Sequence, residues 1–266
     1  NQVEDAWEQL AEAGVAERTV PVTYMNSTAA IKAFCGRNGG VVCTSSNAEV
    51  ALRWAYDQTG GIDAGGKVLF LPDQHLGRNT AVLQLGLELD DCVVYDPRKP
   101  LGGNTAEELE RARMILWKGH CSVHGRFRKQ NVDEARERIP GVNVLVHPEC
   151  VHDVVKDADF VGSTEYIIRT SEAAEPGSAW VVGTELNLVR RLANAHPDKE
   201  IHFLEDTVCF CSTMNRIDLP HLVGALESLA AGEVVNRIEV DEQTQAEAKV
   251  ALDRMLALPA KDASKD

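Results

Sequence analysis

The chain has 266 residues, 44% hydrophobic and 26% charged, enough for one large or two ordinary globular units. Its net charge of −14 argues against nucleic acid or an anionic membrane as the main partner. No run approaches the roughly 20 apolar residues of a membrane helix, and no basic-then-apolar leader opens the chain, so the expectation is a cytoplasmic protein. Seven scattered cysteines, an odd number, argue against a disulfide framework.

In chain order, residues 2–13 place Val3, Trp7, Leu10 and Ala11 at helical spacing, opposite Glu4, Asp5 and Glu8, and Gly14 ends the helix. A chain that opens inside an element reads as cut, with its natural beginning expected upstream. Residues 19–24 (TVPVTY) predict a strand, and Asn26-Ser27-Thr28 caps a helix over 29–34. A short strand at 41–43 leads into Thr44-Ser45-Ser46-Asn47, which caps a helix over 48–57. A glycine-rich loop, a strand at 67–71, Pro72-Asp73, a helix from about 76 to 87 and a strand at 92–95 follow. Residues 97–104 (PRKPLGGN) read as a linker. Thr105 then caps a helix bearing Glu107, Glu108, Leu109 and Ala112. Beyond it the pattern gives a strand at 115–117, a helix at 132–138, and strands at 142–146, 160–161 and 179–182. Thr184 caps a helix over 186–195, and 200–204 is a last strand. Helices over 219–230 and 242–258 end the pattern, and the tail 260–266 reads as disordered. Repeated strand–turn–helix units predict an α/β protein with parallel sheets. The expected division is residues 1–104, residues 105–206, and a C-terminal helical segment with tail at 207–266. Neither a P-loop nor a strand-linked G-x-G-x-x-G is present, so a nucleotide site has no motif here.

Loops at the carboxyl ends of parallel strands are where α/β proteins keep their sites. Two such loops, 117–127 (WKGHCSVHGRF) and 146–150 (VHPEC), offer Cys121, His124, His147 and Glu149: a soft ligand, two imidazoles and a carboxylate. Cys121 and His124 stand at C-x-x-H spacing and can hold a metal, or Cys121 can be a small buried hydrophobe. His147-Pro148-Glu149 can orient a substrate and move protons, or Glu149 can cap a following helix. Cys209-Phe210-Cys211 brings two thiolates close, which favours zinc or an iron–sulfur cluster. In an extended segment, however, they point to opposite faces and do not share a metal. Tyr24-Met25-Asn26, the 44–47 cluster and Ser163-Thr164 set polar groups at helix starts, where carboxylates and phosphates bind and where ordinary caps also stand. Cys35, Cys43, Cys92 and Cys150 have no partner at ligand spacing and read as structural. His75, His152, His196, His202 and His221 read as surface or core histidines.

As a set these motifs resemble the quinolinate synthase family, iron–sulfur enzymes of de novo NAD synthesis. The matching pieces are Y-x-N at 24–26, T-S-S-N at 44–47, L-P-D-x-x-L-G at 71–77 and W-x-G-x-C-x-V-H at 117–124. H-P-E-C at 147–150, G-S-T at 162–164 and C-x-x-M-x-x-I at 211–217 complete them. The resemblance implies repeated three-layer α/β units, pseudo-symmetric around a central site, of which this chain would supply the second and third. It implies condensation of iminoaspartate with dihydroxyacetone phosphate to quinolinate, phosphate and water, with L-aspartate oxidase or aspartate dehydrogenase as upstream supplier. It also implies a [4Fe–4S] cluster on three cysteines, with one iron left open as a Lewis acid. By match, Cys121 and Cys211 would be two ligands, and the third is expected upstream of Asn1. Glu149 would be the acid/base, with His147, Tyr24 and His124 beside it. Tyr24, Met25, Asn26, Ser45, His147, Pro148, Glu149 and Thr164 would bind substrate. The family's first domain, with its G-C-S-x-A-D-like cysteine segment, has no counterpart here. Two other readings compete: a zinc protein using Cys121, His124, Cys209 and Cys211, and an inert binding domain that keeps the carboxylate pocket.

Overall fold

The computed structural model describes residues 2–205, 211 and 213–259. Strands β1 (Thr19–Tyr24), β2 (Val41–Cys43), β3 (Lys67–Leu71), β4 (Cys92–Tyr95) and β5 (Met114–Trp117) form one parallel sheet in the order β2-β1-β3-β5-β4. Strands β6 (Asn143–Val146), β7 (Phe160–Val161), β8 (Ala179–Gly183) and β9 (Glu200–Phe203) form a second, in the order β7-β6-β8-β9. Among the described residues, the helices are α1 (Gln2–Glu12), α2 (Ala29–Arg37), α3 (Ala48–Asp57), α4 (Gln74–Leu85), α5 (Ala106–Arg111) and α6 (Lys129–Arg138). They continue as α7 (His152–Asp157), α8 (Thr164–Ala173), α9 (Leu186–Ala195), α10 (Leu219–Ala230) and α11 (Glu242–Ala257).

Near-continuous apolar strands such as KVLFL and NVLV suit sheets buried on both faces. Their alternate side chains build separate cores. In the first unit Val68, Phe70, Met114 and Leu116 pack with α3 and α4, while Leu69, Leu71 and Ile115 pack with α1, α2, α5 and α11. In the second unit Val144, Val146 and Val181 pack with α6 and α7. Leu145, Trp180 and Val182 pack with α8 and α9. Both units are therefore helix–sheet–helix sandwiches. Local caps support them: Thr28 accepts from Ile31 N, and Thr105 and Glu108 close a reciprocal box on α5.

The expected boundary at 104/105 needs correction. It placed β5 in the second unit, but β5 pairs with both β3 and β4 in the first sheet. The reason lies in the supposed linker 97–104, which is a compact turn. Asp96 N donates to Gly102 O at 2.9 Å. Gly102 has φ +68, and a Cβ there would sit 2.4 Å from the Tyr95 ring. The C-terminal helices are not one separate segment either. α11 returns to the first unit, where Arg254 Nη1 donates to the carbonyls of Gly36 and Gly40. The tail 260–266 lies outside the described residues.

Each sheet begins with the same order in sequence terms: second strand, first strand, third strand. Strand order therefore reverses between β1 and β3, and again between β6 and β8. Such reversal points leave a crevice at the carboxyl ends of the strands, where ligands bind. No helix among the described residues is long and apolar enough to cross a membrane.

Candidate functional site

The two crevices supply the chemistry. From the first sheet come Tyr24 at the end of β1, Ser45 beyond β2, Asp73 beyond β3 and Cys121 beyond β5. From the second come His147 and Glu149 beyond β6, and Thr184 beyond β8. His124 lies in a short turn on the segment joining the units.

Glu149 is the centre. Its Oε2 lies 3.1 Å from His124 Nδ1 and 3.3 Å from His147 Nδ1, and all three side chains are at least nine-tenths buried. The imidazoles stack at 4.5 Å with a 20° tilt. His124 Nε2 meets Thr184 Oγ1 at 3.1 Å. Burial pushes the His124 pKa down, but the neighbouring Cys121 sulfur and Glu149 carboxylate outweigh it and raise the pKa to about 9. His147 moves the opposite way: burial and the His124 charge keep it neutral. The Glu149 amide approaches His147 Nδ1 at 3.3 Å, so Nδ1 accepts and the ring proton sits on Nε2.

Cys121, His124 and Glu149 place one ligand atom each within 4.8 Å of one another. Although Glu149 is near, His124 Nδ1 has no aligned hydrogen-bond partner among the described residues. His124 Nδ1 is still ion-paired with Glu149, and the half-exposed Cys121 thiol is the member of the group open to a ligand. Tyr24 faces the same group. Burial and Glu149 raise its pKa, and a side-chain bond with Ser45 opposes the rise. Asp73 is 4% exposed and holds a raised pKa of about 6 through burial and the Glu149 charge, moderated by three backbone N–H bonds.

The structure thus brings Cys121, His124, His147, Glu149, Tyr24 and Ser45 to one place. Met25 is a backbone partner, its N–H donating to Cys43 O, and Pro148 O accepts from Asn79 Nδ2 at 2.8 Å. Asn26 and Thr164 are exposed at the same strand ends, and their side chains make no hydrogen bond among the described residues. Cys211 is half-buried and accepts the Met214 N–H on sulfur at 3.5 Å, outside the Cys121 group. Cys209 lies outside the described residues. Cys150 is a core thiol, bonded to Gly183 O and raised by burial.

Two site residues were not expected. The sequence predicts Thr184 as the cap of the following helix, yet Glu185 caps α9 through Asn187 N and Leu188 N, leaving Thr184 to His124. Asp73 was read as a strand end. The P-D-x-x-L run does signal a cap, but nothing local signals its reach to Cys121.

A family model for quinolinate synthetase A protein matches residues 1–257. The chain belongs to that family. Among relatives of this family, quinolinate synthase from Nocardioides sp. is 69% identical over 260 residues, covering 98% of this chain and 66% of the relative. That of Streptomyces coelicolor is 69% identical, covering 97% and 64%. That of Geobacillus kaustophilus is 54% identical over 258 residues, covering 97% and 68%. The chain therefore spans about two thirds of the length of the curated relatives it matches.

Proposed function

We propose that this chain carries the second and third α/β units of a quinolinate synthase. That enzyme joins iminoaspartate to dihydroxyacetone phosphate, releasing quinolinate, phosphate and water. The carrying observation is Glu149 Oε2 within 3.3 Å of two buried, stacked imidazoles, of which His124 has a raised pKa and His147 a lowered one. Condensation and ring closure demand repeated proton transfers at carbon, nitrogen and oxygen. A carboxylate paired with cationic His124 can take a proton while the imidazolium gives one. His147, neutral with N–H on Nε2, is a donor for a substrate carboxylate, and the Tyr24 hydroxyl stays protonated as another. Iminoaspartate carries two carboxylates, for which the site offers neutral donors at Tyr24 and His147 and a cation at His124 beside its own Glu149. Burial of these groups keeps water from the reactive imine.

The donor chemistry fits an iron–sulfur cluster. Cys121 is a half-exposed thiol, and the Cys211 sulfur already accepts an amide N–H. These two would hold it with a third thiolate from outside the described residues. When bound, the cluster supplies an open iron that acts as a Lewis acid. A second reading, zinc at Cys121, His124 and Glu149, is favoured by the 4.8 Å grouping of their donor atoms. Iron, sulfide and zinc content with the visible spectrum of anaerobically prepared full-length protein separates the two.

Glu149→Gln tests the reaction assignment. In the full-length enzyme it should still bind substrate but lose on the order of 10²-fold or more in kcat. Near-normal turnover would remove Glu149 from the mechanism.

A further inference from the structure

Asp73 performs two tasks with its two oxygens. Oδ1 accepts from His75 N at 2.8 Å and Leu76 N at 2.9 Å, an ordinary cap on α4. Oδ2 accepts from Cys121 N at 2.8 Å, across 48 residues of chain. Serine, threonine or asparagine would cap α4 as well. A carboxylate that is buried, and that faces a second carboxylate at Glu149, is costly unless its oxygens are well satisfied. Capping alone does not account for it; the bond to Cys121 does.

The surrounding backbone points the same way. Gln74 N donates to Gly119 O at 3.0 Å, so the β3–α4 turn and the loop after β5 are joined two residues before Cys121. Gly119 presses so close to Pro72 that a Cβ would lie 2.2 Å from the Pro72 carbonyl oxygen. One strap is backbone to backbone at Gly119; the other is Asp73 to Cys121.

We propose that Asp73 is a positioning residue for the iron–sulfur ligand Cys121, tying its backbone to the start of α4 so that the thiolate keeps a fixed place. The inference rests on the cluster reading above. Outer partners of this kind are what hold a metal ligand in its working geometry, and losing one costs about 10–100-fold in metal retention.

The test uses full-length protein carrying Asp73→Ser or Asp73→Asn. Both keep a cap oxygen for α4 and lose the second carboxylate oxygen. Thr105→Ala, which removes the cap of α5, is the control for general weakening. Iodoacetamide labelling of each cysteine is followed by mass spectrometry in cluster-free protein, and iron loss to a chelator is followed in reconstituted protein. Both Asp73 variants should label Cys121 and lose iron on the order of 10-fold faster than wild type. Cys43 and Cys150 should stay protected, and Thr105→Ala should leave Cys121 unchanged. Labelling of Cys121 within about twofold of wild type in both variants overturns the proposal. So does a parallel rise at Cys43 and Cys150, or the same rise in Thr105→Ala. If Asp73→Ser does not fold, Asp73→Asn decides alone. Wild-type protein that takes up no iron sinks the cluster reading instead, and the labelling comparison still judges the strap.

Discussion

His124 and His147 stack face to face yet shift in opposite directions: both are buried, but Cys121 and Glu149 raise His124, and the His124 charge adds to burial in lowering His147. The sign of the linkage follows. His124 is raised from 6.5 to about 9 in the folded chain, so its pairing stabilises fully below about pH 6.5 and is lost as pH rises through 9. The loop behind them depends on a residue with no side chain. Gly119→Ala would force a Cβ against the Pro72 carbonyl, and the loop must shift to relieve it. We expect a loss of about 1–3 kcal/mol in unfolding free energy, with Cys121 labelled faster by iodoacetamide; an unchanged denaturation midpoint would contradict the close approach. Cys121, His124, His147 and Glu149 could be read from strand-end position and residue type alone. Asp73 and Thr184 could not, because each matches a helix-start pattern that accounts for its residue type locally. Their bonds to Cys121 and His124 span 48 and 60 residues.

At the scale of elements, most strands and helices follow from apolar runs and caps, since those signals are local. The strands at 41–43, 67–71, 92–95 and 160–161 and the helices at 48–57, 186–195 and 219–230 fall on the residues that periodicity marks. The sheet to which β5 belongs does not follow from the sequence, because strand pairing is set by where the 97–104 turn sends the chain. β3 carries a feature that hydropathy hides: it opens on Lys67, fully buried, with Nζ donating to Glu110 O at 2.5 Å and Ala112 O at 2.7 Å. Burial lowers its pKa from 10.5 to about 8, against the pull of Glu110. The unfolded chain therefore binds the extra proton between pH 8 and 10.5, and Lys67 contributes stability that rises with pH across that window. The thermal midpoint of Lys67→Met should lack this rise, so the difference between wild type and variant should drift in favour of wild type from pH 8 to 10. A constant difference would refute the shift.

Across the whole molecule, the exposed large hydrophobic residues concentrate along α10 and the segments beside it. Leu219, Leu222, Val223, Leu226 and Leu229 are each about half exposed or more, at spacings of three and four that make one stripe. Ile217, Val234 and Ile238 extend it. An apolar stripe of this length drives association. The 266-residue chain should therefore bind a hydrophobic dye and self-associate with rising concentration, and Leu222→Lys with Leu226→Lys should reduce both without loss of helix content. Sedimentation that stays monomeric at high concentration in the parent chain would refute this. Among the described residues, a buried amide also joins the two α/β units where α4 packs on α7. Asn79 on α4 donates its two N–H groups to Pro148 O and Cys150 O, and its oxygen accepts from His152 Nδ1. Those two carbonyls flank Glu149 in the chain. The acid/base is therefore moored to the first unit through its own chain neighbours, so α4 carries both Asp73 at its cap and the anchor of Glu149. One helix thus keeps the acid/base of the second sheet in register with the loop that bears Cys121.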